Sequence, residues 1–219
     1  MLTIAKMGAH SVAYYQSTVD ENRGPDSYYS EDGKQPASVW LRGEKLSEVS
    51  AFLGTDNGAI VSGKTVENWF NKAVAPSGAG LGNAPRKDSV PGFDLTFCAP
   101  KSVSLLWGMG ADSDVRGIVD EAHQAAVSQA LDYLSEHAGY TRKQVKEPAG
   151  KRLVVEKLAG ISGVKYEHRT SRAGDPHVHS HVLLANKQLC RDGKVRTLDG
   201  VSLYHEARAA GMVYQATVR

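Results

Sequence analysis

Four of the chain's 8 histidines fall between Gly160 and Asn186, in the stretch G-I-S-G-V-K-Y-E-H-R-T-S-R-A-G-D-P-H-V-H-S-H-V-L-L-A-N. They are His168, His177, His179 and His181. From His177 to Ala185, one parity carries His177, His179, His181, Leu183 and Ala185. The other carries Val178, Ser180, Val182 and Leu184. In a strand, residues two apart share a face, so His179 and His181 project together. Ile161 to Arg169 reads as a second strand. Between them T-S-R-A-G-D-P is a turn, with Gly174 supplying positive φ and Pro176 breaking the run. The register of the two antiparallel strands then decides the chemistry. With His168 opposite His179 or His181, three imidazoles share one face; a slip of one residue removes His168 from it. Three imidazoles on a rigid sheet make a metal site with open positions for substrate. A histidine-rich surface hairpin is the plain alternative, and it accounts more easily for one histidine than for three at this spacing.

Such a site needs a frame. A chain of 219 residues is enough for one domain with a sizeable core. Hydrophobic content of 41% and charged content of 23% are globular values. A net charge of +2 does not by itself announce a nucleic-acid partner. Two cysteines, Cys98 and Cys190, have no framework spacing and fit a reducing compartment. No run is long enough to span a membrane, and the N-terminus lacks a signal-peptide layout. A cytoplasmic location is expected.

Leu2 to Ile4 starts a strand. Two tyrosine pairs follow, Tyr14-Tyr15 and Tyr28-Tyr29, the second in a polar, turn-rich segment. Most tyrosines pack a ring and bond a hydroxyl, but two adjacent pairs this close are unusual. Helical spacing marks Glu44 to Leu53, ended by Gly54, and Thr65 to Ala75. Residues 76–91 read as a long loop or flap. Gly92 to Cys98 alternates as a strand, with Phe93, Leu95 and Phe97 on one face and Asp94 and Thr96 on the other. Aspartate is disfavoured in strands, so Asp94 points to a polar face such as the one carrying the histidines; a merely exposed face is the alternative. Pro100 suits the first turn of a helix, where Lys101, Ser102 and Ser104 are placed to meet phosphate oxygens. Ser113 to Glu136 carries a helical stripe that covers the sheet, with His123 beside it, packed or solvated. Arg142 to Arg152 reads as a basic loop. Lys194 to Leu198 reads as an edge strand. Ser202 to Arg219 is helical with no stop signal, which predicts a piece of a longer protein.

Together these residues resemble the MobF-type relaxase domain of conjugative plasmids, within the HUH endonucleases. The matching features are the tyrosine pairs, G-F-D-L-T-F-C-A-P-K-S-V-S-L, and H-R-T-S-R followed by D-P-H-V-H-S-H-V-L-L-A-N. Their order and spacing span nearly the whole chain. The resemblance implies one relaxase domain over 1–219 of a longer relaxase–helicase. It implies a palm-like α/β fold: a central antiparallel sheet with helices packed on one face and the metal and DNA site on the other. It implies His168, His179 and His181 as metal ligands, Tyr14 as the main nucleophile, Tyr28 or Tyr29 for a second strand transfer, and Asp94 in support. Where the family usually has glutamine, two positions before the metal pair, this chain has His177. His177-Val178-His179 is thus a second match, but the offsets from His168 and Asn186 favour His179 and His181. The segment between the tyrosine pairs is also longer here.

The implied function is nicking and rejoining of single-stranded DNA at a transfer origin through a 5′-phosphotyrosine. Imidazole ligation alone favours Zn, Ni, Cu or Fe, whereas the family generally works with Mg or Mn. Implied partners are an origin with an adjacent hairpin, accessory relaxosome proteins and a C-terminal helicase region. Lys101, Arg169 and Arg172 flank the site as DNA contacts. Tyr15 and Tyr29 take packing or base-stacking roles. Two other readings compete: a phosphodiesterase using metal-bound water, and a non-catalytic origin-binding module.

Overall fold

The computed structural model of the chain describes residues 1–8, 37–86, 89–110, 113–148, 150–171 and 173–219. Both tyrosine pairs and Arg172 lie outside these residues. Nine strands are described: β1 (Leu2–Lys6), β2 (Ser38–Arg42), β3 (Gly92–Cys98), β4 (Tyr140–Glu147), β5 (Gly150–Lys157), β6 (Ile161–Thr170), β7 (Pro176–Ala185), β8 (Lys187–Leu189) and β9 (Val195–Thr197). The described helices are α1 (Leu46–Leu53), α2 (Gly63–Lys72), α3 (Lys101–Met109), α4 (Ser113–Ala138) and α5 (Gly200–Thr217).

Five strands form one antiparallel sheet in the order β1-β3-β7-β6-β2. The histidine-bearing β6 and β7 are therefore interior strands, braced on both sides. Alternation assigns the faces. Phe93, Leu95, Phe97, Val182 and Leu184 pack against α4 and α5 through Ala126, Ala130, Leu131, Leu134 and Tyr214. On the opposite face, Val164, Tyr166, Leu183 and Ala185 pack against α1 and α2 through Val49, Leu53, Val66, Trp69 and Phe70. The two short helices thus cover the far half of the site face, and the histidines occupy the other half.

Local signals fix the helix ends. The Ser62 side chain accepts from Thr65 N–H at the start of α2, and Gly54 at φ 64° closes α1. Asp199 accepts from Val201 N–H and Ser202 N–H to cap α5. In α3, a Cβ at Gly108 would lie 2.4 Å from Pro176 Cγ, so glycine lets this helix lie against the start of β7.

Three expectations are corrected. The supposed basic loop is a two-stranded antiparallel ribbon, with β4 and β5 paired from Tyr140↔Lys157 to Glu147↔Gly150. Its many charges hide a period-2 pattern. The supposed edge strand near Lys194 is β9, which pairs with β8 outside the main sheet. In α4, Ile118 stands outside the buried stripe at 65% exposure. Of the two edge strands of the main sheet, β1 and β2, the second is short and went unread. Its place comes from pairing with β6, as in Trp40↔Gly163.

Candidate metal centre

The β6–β7 register puts His168 opposite His179 and Tyr166 opposite His181. On the other side of β7, Thr96 stands opposite His181. All three imidazoles therefore project from one face. One ring nitrogen from each of His168, His179 and His181 lies within 4.8 Å of the others. The His168 and His179 rings stack at 5.0 Å, and His181 stands edge-on to both, at 5.5 and 5.4 Å.

Two of the rings are held by their Nδ1 atoms. His179 Nδ1 donates to the His177 carbonyl at 2.8 Å. His181 Nδ1 lies 3.0 and 3.1 Å from the two carboxylate oxygens of Asp94, and 3.2 Å from Thr96 Oγ1. A backbone carbonyl and a carboxylate accept, so the protons sit on Nδ1 and the Nε2 lone pairs stay available. Burial, with nearby positive charge added, pushes His168 down to about 4 and His179 to about 3. Both are neutral at physiological pH, as metal ligation requires. The donor set fits a divalent cation: three imidazoles converge on one face, two of them oriented by groups that take Nδ1. His177 projects from the same parity, and its ring lies 4.7 Å from that of His179. It is not among the three converging nitrogens. Its backbone carbonyl orients His179 instead.

Asp94 is 7% exposed and reaches His181, on the polar face that its strand alternation predicts. Thr96 joins it. The signal for Thr96 is the same alternation, but pairing decides which face it shares.

Two residues expected to touch DNA do not face the site. Ser104 is fully buried, and its Oγ accepts from Val178 N–H at 3.1 Å, tying α3 to β7. Arg169 is 7% exposed and lies on the α4 side of the sheet, with Nε 2.9 Å from Asp120 and Nη2 3.1 Å from Glu167. Next to His168 in sequence, it is opposite in direction, because neighbours in a strand alternate. Ser102 is exposed at the start of α3. Lys101 is half-exposed; it pairs with Asp175 and donates to the Pro176 carbonyl at 3.0 Å, beside the β6–β7 turn.

The ribbon is the most highly charged element that sequence reasoning missed. Its two strands, YTRKQVKE and GKRLVVEK, carry six basic and two acidic residues. Several are paired within the protein, including Arg142 with Asp199 and Arg152 with Glu147. Near the tip, Lys146 stands directly opposite Lys151, and both are exposed. Like charges directly opposite destabilise a ladder unless something anionic lies across them. A cavity of about 360 Å³ bounded by Arg42, Asp132 and Lys157 lies away from the histidines.

A family model described as TrwC relaxase matches residues 8–219. The multifunctional conjugation protein TraI of Escherichia coli is 32% identical over 143 residues, which is 59% of this chain and 7% of TraI. The chain thus spans a small part of that relative's length. The conjugative relaxase TrwC, solved with oriT DNA in a metal-bound form, is similar in structure with a TM-score of 0.72 and 26% identity, over 100% of this chain and 68% of that one. A copper-bound TrwC complex with oriT DNA matches with a TM-score of 0.74 at 26% identity, over the same shares.

Proposed function

The chain belongs to the TrwC relaxase family, and from that premise we propose that it nicks and rejoins one DNA strand at a plasmid transfer origin. The observation that carries this reading is the convergence of His168, His179 and His181, with Nδ1 of the last two already engaged. A divalent cation bound by these three would neutralise charge on the scissile phosphate and supply Lewis-acid assistance. Mg or Mn suits the phosphate oxygens, and the imidazoles also accept other transition metals.

Tyr14 is the proposed nucleophile. A tyrosine hydroxyl has a reference pKa of about 10 and attacks poorly unaided. In the step proposed, Tyr14 Oη forms a bond to phosphorus and loses its proton, while the P–O3′ bond breaks and O3′ leaves with a proton. The product is a 5′-phosphotyrosine and a free 3′-hydroxyl. One phosphoester replaces another, so the bond is retained for rejoining. Tyr28 or Tyr29 serves a second transfer. Asp94 fixes the His181 ring and its proton, and thereby where Nε2 points.

The β4–β5 ribbon is the proposed grip on duplex DNA beside the nick, since a two-stranded ribbon fits a major groove. Lys101 and Ser102 of α3, and Arg172, are proposed contacts for the single strand. The same reading gives the full-length protein a helicase region, accessory relaxosome partners and a cytoplasmic location. Among the described residues, no helix is long and apolar enough to cross a membrane.

The test is incubation with oligonucleotides from the cognate origin, with Mg or Mn, followed by denaturing electrophoresis. A labelled DNA end that stays on the denatured protein is expected. Cleavage without retained label would replace this reading with hydrolysis by activated water, and binding without cleavage would replace it with a silent DNA module.

A further inference from the structure

Behind the histidine face lies a set of buried polar contacts that the mechanism above does not use. The inward face of β7 is Val178, Ser180, Val182 and Leu184, each 1% exposed or less. Ser180 is the polar exception, and it sits between His179 and His181. Its Oγ is 2.8 Å from His123 Nε2, on α4. His123 is 0% exposed, and its other nitrogen is 2.8 Å from Tyr214 Oη, on α5. Across the strand pair, Ser180 stands opposite Glu167. Glu167 and Arg169 flank His168 and are joined at 3.1 Å, and Arg169 reaches Asp120 of α4 at 2.9 Å.

Asp120 and His123 are one helical turn apart, so they share a face of α4. One anchors β6 and the other anchors β7. Each of the three converging histidines therefore has an immediate chain neighbour tied to the same helix turn. Apolar packing alone would fill this space, but it tolerates sliding, whereas hydrogen bonds and ion pairs have direction and set register. Register matters most here, because β6 has an irregularity between His168 and Thr170, so the ladder is interrupted just after His168. The Arg169–Asp120 pair holds the chain where the ladder does not.

We infer that Asp120 and His123 form a two-point clamp on α4, with Tyr214 behind it, that positions the three histidines from the reverse side of the sheet. They are positioning residues and touch no reacting atom. The inference rests on the histidines binding a metal. It assigns α4 a role beyond covering the sheet.

The deciding variants are Ser180→Ala, which deletes one oxygen, and Asp120→Asn, which keeps shape and removes charge. Mn²⁺ affinity is measured by titration, and the visible absorption of the Co²⁺-loaded protein reports ligand geometry. Thermal melting of the metal-free protein gives stability separately. Each variant is expected to bind Mn²⁺ about tenfold more weakly and to shift the Co²⁺ spectrum. The double variant is expected to be weaker than either. If both variants melt lower yet bind Mn²⁺ like wild type, with an unchanged Co²⁺ spectrum, the contacts are merely structural and the clamp is overturned. His123→Phe removes both ring contacts at once; should it not fold, Ser180→Ala decides. Wild-type protein that binds neither ion overturns the metal reading itself, which a failure of the clamp alone leaves intact.

Discussion

His179 and His177 differ by one strand repeat, yet their chemistry separates. The His179 ring offers a nitrogen to the three-histidine cluster, while His177 contributes a carbonyl oxygen to hold the ring. Loss of the His177 side chain leaves that carbonyl in place. His179→Ala or His181→Ala is therefore expected to abolish cleavage and weaken metal binding more than about 100-fold, since a ligand is worth more than the groups that orient it. His177→Ala is expected to keep most of both. Metal titration of the three variants checks this, and a His177→Ala protein that alone loses its metal would move the ligand set by one step. Asp94→Asn keeps an acceptor oxygen but loses the charge beside His181. An affinity lower by about tenfold is expected, short of the loss from a missing ligand. Tyr14→Phe keeps a ring and removes one oxygen. It should still bind DNA and metal but form no adduct with a suicide oligonucleotide. Peptide mapping of the wild-type adduct to Tyr28 or Tyr29, with Tyr14→Phe fully active, would reassign the nucleophile.

Among the elements, the β4–β5 ribbon concentrates positive charge that the whole chain's net +2 conceals. Lys146 and Lys151 face each other across the strands, and Leu153 and Val155 on the same face are 55% and 52% exposed. Phosphate neutralisation releases counterions, so affinity for a hairpin-bearing oligonucleotide should fall with salt. The double substitution Lys146→Gln, Lys151→Gln is expected to weaken binding at all sequences and to lower the slope of log affinity against log salt by about 2. It removes two charges that oppose each other in the free ribbon, so it should not cost stability. An unchanged slope, measured by fluorescence anisotropy between about 50 and 200 mM salt, would take the ribbon out of the DNA contact.

For the molecule as a whole, three imidazoles are kept neutral by folding. Burial pushes His123 down to about 3, His179 to about 3 and His168 to about 4, from an ordinary 6.5. Between these values and 6.5 the unfolded chain binds protons that the folded chain does not. Stability therefore rises with pH across this window and is lost as pH falls from 6.5 toward 4. The metal-free protein should show a thermal midpoint that is level above about pH 7 and falls steadily below 6.5. Metal should shift the fall to lower pH, because bound nitrogens resist protonation. A midpoint that holds or rises between pH 6.5 and 4 would contradict the burial argument.

The sequence by itself determined the strands that carry the site and the residue types on them. Alternation in Gly92–Cys98 and His177–Ala185, the Gly174–Pro176 turn and the long stripe of α4 are local, and local rules read them. Alternation alone also put Asp94 and Thr96 opposite the phenylalanines. Register was not local. That His168 meets His179 rather than slipping by one depends on β7 being paired on both sides, by β3 and β6. The partners of Arg169 and Ser104 were not local either. Each carries a group suited to phosphate, yet each is claimed by a partner on another element, Asp120 or Val178. The ribbon escaped because its charges mask the period of 2, and β2 because five residues are too few to show one. The clamp of Asp120 and His123 was beyond any sequence reading. It exists only where a helix turn crosses two strands, 57 residues of chain separating His123 from Ser180.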